Sequence, residues 1–124
     1  MHRISSQQDI LGAPATYMVA YTTERFRNDN PKTYQAFVAA LREAHELIKS
    51  DPAGSAKTYL DHSSDKITVD ETVAIIKSPE STFDLAPQSV MTFAKFMAQR
   101  GIIKTAPAAW TEMFFPEVQN LPGS

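Results

Sequence analysis

The 124-residue chain has no cysteine. Disulfides, thiolate nucleophiles and cysteine-ligated zinc are therefore all excluded. Its four glycines are scattered, so no glycine-rich loop is available to cradle a phosphate. No apolar run approaches the length of a membrane span. Neither sign of charge dominates: 12 basic residues face 14 acidic ones, for a formal charge of −2. Without a basic field, neither nucleic acid nor an anionic membrane surface is an expected partner. The first residues lack the basic, apolar, small-residue order of a secretory signal, and no export signal is read in this chain.

What remains is ordinary globular material. Hydrophobic residues make up 43% and charged residues 21%, well outside the disordered class. The length suits one domain with a modest core. Seven Phe, four Tyr and five Met supply most of its bulk.

The opening stretch "MHRISSQQDILGAPATYMVAYTTERF" reads as extended chain broken by Gly12 and Pro14. In "ATYMVAYTT", Tyr17, Val19 and Tyr21 alternate with Thr16, Met18 and Ala20. Both faces are fairly apolar, as in a strand covered on both sides. A lone strand leaves its backbone groups unsatisfied, and no obvious pairing partner for this one follows in the chain.

The rest is helical in pattern. "TTERFRND" makes a turn or two. A long helix follows, with Asn30 as N-cap and Pro31 as first helical residue. Tyr34, Phe37, Val38, Leu41, His45 and Ile48 form its apolar stripe at a 3.6-residue period. Asp51 caps the next helix, with a smaller stripe of Ala53, Ala56, Tyr59 and Leu60. Thr68 and Glu71 form a capping box for the following helix, and Pro79 stops it. A further helix starts near Pro87, buries Val90, Phe93, Ala94 and Met97, and ends on a left-handed Gly101. The tail reads as a short helix around Trp110 and a packed irregular end.

Each candidate for chemistry has an ordinary reading beside it. His45-Glu46 fails the HExxH zinc pattern because Lys49 occupies the place of the second histidine. His45 then reads as a core or boundary histidine with a local hydrogen bond. Asp61, His62, Ser63, Ser64 and Asp65 read as a solvated turn rather than a triad. Asp70, Glu71, Glu43 and Glu46 read as capping or solubilising residues. Trp110, Phe114 and Phe115 read as a tail anchor rather than a ligand box. One stretch keeps a functional reading. In "LGAPATY", Gly12 and Pro14 permit close approach to a bound molecule, unpaired N–H groups suit an anion, and Thr16 and Tyr17 add hydroxyls. A plain turn is the competing reading.

Two ordered stretches, "LGAPATYMVAYTTERFRNDNPKTYQAFVAALREA" and "ITVDETVAIIKSPESTFDLAPQSVMTFAKFMAQRGIIKTAPAAWTEMFFPEVQNLPGS", make the chain resemble the C-terminal portion of a known family. It is similar to the solute-binding proteins of ABC importers of the nitrate/sulfonate/taurine type. The run ending in "FFPEVQNLPGS" is the most specific part. The resemblance implies an α/β fold, mainly helical in this chain. It corresponds to the C-terminal part of a periplasmic-binding-protein type II lobe, with one or two strands and about five helices. Residues 1–22 would be the strand segment returning between the lobes, and residues 23–124 the helical completion of lobe one. The N-terminal portion of that family is missing from this chain.

The resemblance implies a non-enzymatic role: capture of a small polar or anionic solute between two lobes of a periplasmic parent protein, which delivers it to an ABC permease. Gly12, Pro14, Thr16 and Tyr17 would lie at the cleft edge. No metal or cofactor is expected. A fragment of one lobe should bind solute poorly and self-associate through exposed apolar surface. Two alternatives stand beside it. A pyridoxal-dependent thiamine-pyrimidine synthase would share the general fold, but it needs a cofactor lysine and clustered histidines, and the three histidines here are dispersed. A small helical interaction module would need only the amphipathic helices.

Overall fold

The computed structural model describes residues 4–124; the run expected at residues 2–4 lies mostly outside them. The described residues are mainly helical. They form α1 (Gln7–Leu11), α2 (Glu24–Asp29), α3 (Pro31–Ser50), α4 (Pro52–His62), α5 (Val69–Ile76), α6 (Val90–Gln99), a 3₁₀ helix (Trp110–Met113) and α7 (Pro116–Gln119). The chain divides into two compact units: Tyr21–Asp84, and Met1–Ala20 together with Leu85–Ser124.

The unit Tyr21–Asp84 holds α2 to α5, each started by local chemistry. The Thr23 hydroxyl accepts the Phe26 N–H at 3.0 Å and opens α2. Asn30 sits at the N-cap of α3 but does not cap it. Its side-chain amide instead donates to the Phe26 carbonyl at 3.1 Å and closes α2, while Pro31 supplies the preset φ that starts α3. The Arg27 guanidinium lies 5.3 Å from the Tyr34 ring centroid, a cation–π contact joining α2 to α3. Asp51 caps α4, its carboxylate accepting the Gly54 N–H at 2.9 Å.

The Thr68–Glu71 box forms in both directions. The Thr68 hydroxyl accepts the Glu71 N–H at 3.2 Å, and the Glu71 carboxylate accepts the Thr68 N–H at 2.8 Å. Helix α5 packs mainly on α4, where Ala56 is completely buried. Tyr34, Val38, Leu41, His45 and Ile48 of the α3 stripe are only half-buried, and no α3 residue is fully buried.

The second unit corrects the opening of the sequence. The stretch before Gly12, expected to be extended, contains α1. The Ser6 hydroxyl accepts the Asp9 N–H at 3.1 Å, and the Asp9 carboxylate accepts the Ser6 N–H at 2.7 Å. Two local bonds of this kind fix a helical start. Gly12, at φ 70°, then turns the chain out of α1, which is the usual place for a left-handed residue.

The expected strand differs as well. The chain runs without helix, turn or bend from residue 14 to residue 23, so it is extended. Among the described residues, however, no strand ladder forms. The reason is a shortage of partners. Only its first residues meet another segment, at Gln88 and Ser89, and α6 begins immediately afterwards.

Helix α6 begins later than Pro87 suggests. Its N-cap residue Ser89 is left-handed at φ 55°, and the Ser89 side chain does not cap it. The chain tail does so instead. The Ser124 backbone oxygen accepts the Val90 N–H at 2.8 Å, and the Ser124 hydroxyl accepts the Ser89 N–H at 2.9 Å. Gly101, at φ 69°, ends α6 as its sequence position predicts. Trp110 and Phe114 meet edge-to-face at 6.0 Å. Gly123 lies so close to the Trp110 ring that an added Cβ would sit 2.7 Å from it, so the aromatic tail packs as an anchor. Helix α7 falls where an irregular end is expected; Pro116 supplies its first turn.

Candidate binding edge

The stretch expected to touch solute, residues 12–17, is held by α1 on one side and by the turn before α6 on the other. Gly12 is exposed, and nothing lies within 4 Å of where its Cβ would be. Its glycine character therefore serves the left-handed turn, not a close backbone approach within this chain. The Pro14 carbonyl accepts the Ser89 hydroxyl at 2.6 Å. Thr16 is bonded twice to Gln88: its N–H donates to the Gln88 carbonyl at 2.9 Å, and its hydroxyl accepts the Gln88 N–H at 2.9 Å. The Tyr17 ring meets Phe93 of α6 edge-to-face at 5.8 Å and is half-exposed.

Of the donors expected there, the Thr16 N–H is thus committed to the fold, whereas the Thr16 hydroxyl serves as an acceptor and keeps its proton to donate. From Tyr17 through Thr22, no backbone group makes a hydrogen bond before Thr23 opens α2, among the described residues. What this edge offers is neutral hydrogen-bonding backbone with tyrosine and threonine hydroxyls. No titratable carboxylate, imidazole or amine occurs between Ile10 and Thr23.

The residues that clamp this stretch, Gln88 and Ser89, and Ser124, which holds Ser89 in turn, were not legible as site residues. The sequence signal was a serine directly before an apolar helix, which ordinarily means a simple N-cap. Its left-handed conformation, and the capping taken over by the tail, depend on contacts about thirty-five residues apart.

Elsewhere the chemistry is sparse. Among the described residues, no group of three or more His, Cys, Asp or Glu could hold a metal. The residues 61–65 do not converge into a triad: the Tyr59 hydroxyl donates to the Asp65 carboxylate, and the Ser63 hydroxyl accepts the Asp65 N–H at 3.2 Å. The Asp65 carboxylate holds the Tyr59 phenol above its usual range. His45 Nδ1 and Ser55 Oγ are buried without a hydrogen-bond partner, so the local bond expected for His45 is absent at that nitrogen. An open recess of about 320 Å³ in the unit Tyr21–Asp84 is lined by Ile48, Lys49, Ile76, Lys77, Ser81 and Phe83 among others. Its Ser81 hydroxyl is committed to the Ile75 carbonyl at 2.6 Å. Lys49 is paired with Glu46 at 3.2 Å.

No family model, curated protein or solved structure matches this chain.

Proposed function

We propose that this chain is the C-terminal portion of a periplasmic solute-binding protein of an ABC importer, of the nitrate/sulfonate/taurine type. The complete protein would capture a small polar or anionic solute between two lobes and present it to a permease. In this reading the chain completes a type II binding-protein lobe, and residues 12–17 form part of the cleft edge. Strands that cross between lobes are the natural place for a hinge.

The observation that carries the reading is the open extended segment. Residues 17–22 run without helix, turn or bend yet bond to no other backbone among the described residues. Tyr17 is 51%, Met18 91% and Tyr21 94% exposed. Apolar side chains on a bare backbone edge call for neighbouring strands. The motifs of the sequence supply the transport reading, and the geometry is compatible with it.

The test is calorimetric. A longer chain extended upstream in the same reading frame should bind taurine, an alkylsulfonate or nitrate one-to-one, while the 124-residue chain binds none of them tightly. Tight one-to-one binding by the short chain alone, or an upstream frame with no coding sequence, would overturn the proposal.

A further inference from the structure

We infer that residues 15–20 of this chain pair antiparallel with the same residues of a second copy, along the backbone edge facing away from Gln88 and Ser89. In an extended chain, the N–H and C=O of one residue point to one side and those of the next residue to the other. The Pro14 carbonyl bonds Ser89 and the Thr16 N–H bonds Gln88, so the even-numbered residues face that segment. Ala15, Tyr17 and Val19 then direct their backbone groups to the opposite side. That side has no backbone partner among the described residues from Tyr17 onward.

The occupant that fits is an extended, uncharged, apolar strand, and the segment itself is one. It carries no charge from Ile10 to Thr23 and no proline after Pro14. Self-pairing therefore sets no like charges opposite each other, and none of the usual devices that protect an edge strand is present. One register is favoured. Centred on Met18, it sets Tyr17 of one copy opposite Val19 of the other, an aromatic–β-branched pair of the favourable kind. Tyr17 and Val19 then exchange both backbone hydrogen bonds, twice over by symmetry. Met18, the most exposed of these side chains at 91%, faces its own copy. A register centred on Tyr17 would set that residue against itself, although its ring already packs on Phe93. Two such short strands bury less than the roughly 1,200 Å² typical of stable interfaces, so the pairing is weak and concentration-dependent.

The inference uses the open edge but does not depend on the solute-binding reading. A dimer that binds no solute leaves it standing, and a monomer leaves the transport reading standing. The experiment exploits the absence of cysteine. In the full 124-residue chain, Met18→Cys should form a disulfide-linked dimer under mild oxidation, because opposed residues of a non-hydrogen-bonded pair lie about 4.5 Å apart at Cα, within disulfide reach. Ile102→Cys, also exposed at 63%, should not. Val19→Pro removes an N–H that has no partner among the described residues. By sedimentation it should weaken self-association about tenfold or more with the helical circular dichroism unchanged. The inference is overturned by a wild-type chain that stays monomeric throughout a concentration series. It is equally overturned by a dimer indifferent to Val19→Pro, or by equal cross-linking at positions 18 and 102.

Discussion

Glu71 shows what a single residue does here. Its carboxylate accepts the backbone N–H and the hydroxyl of Thr68, and these bonds, the backbone one foremost, hold it below the usual glutamate range. Because the folded value is depressed, the stabilisation is complete above the unfolded value, near 4.3. It is lost as pH falls through the lower folded value. An NMR titration should therefore find Glu71 below the usual glutamate range, and Thr68→Ala should return it toward that range. The same substitution removes the N-cap of α5 and should cost about 1 kcal/mol in stability. A Glu71 titration unmoved by Thr68→Ala would mean that the box does not form in solution.

At the scale of elements, α6 depends on the tail more than on its own N-cap. Ser89 is turned left-handed and gives its hydroxyl to Pro14, so the caps on Val90 and Ser89 come from Ser124. The tail is in turn held by Gly123 against Trp110. A methyl at position 123 would meet the rigid indole at 2.7 Å, not the end of a flexible side chain. Gly123→Ala should push the tail from the ring, alter the Trp110 fluorescence and destabilise by about 1–3 kcal/mol, the usual cost of overpacking. Unchanged fluorescence and stability would show that the tail does not rest on Trp110.

On the scale of the whole chain, the core is thin. The hydrophobic residues that are nearly sealed from solvent are Ala56, Ala86 and Ala94, and no large side chain is fully buried among the described residues. The chain exposes 9539 Å². Even two independent bodies of half its length would together expose only about 8,000 Å² by the usual size scaling. Less surface is thus withdrawn from water on folding than this length normally allows. Urea unfolding measured on dilute protein should be shallow, with a slope at or below the lower end of the ~1–3 kcal/mol/M usual for small domains. A single steep transition would show that the 124 residues bury a complete core of their own.

The sequence by itself determined the elements whose signals are local. The capping box at Thr68 and Glu71, the Asp51 cap, the Pro31 start and the left-handed Gly101 each depend on residues a few positions apart, so their physics is complete within one turn of chain. The same local logic could have found α1, since Ser6 and Asp9 stand three residues apart. The alternating apolar run after Pro14 outweighed that signal and drew the whole opening into one extended reading. Alternation also pointed to a strand over residues 15–22, and none forms among the described residues; alternation could not supply neighbours, because pairing is a long-range property of the backbone. Only the tertiary structure decided that Thr16 and Pro14 are tied to Gln88 and Ser89, that Ser124 caps α6, and that the opposite edge has no backbone partner among the described residues. Those contacts join residues that are distant in sequence, and a helical or strand period carries no information about which distant groups will meet.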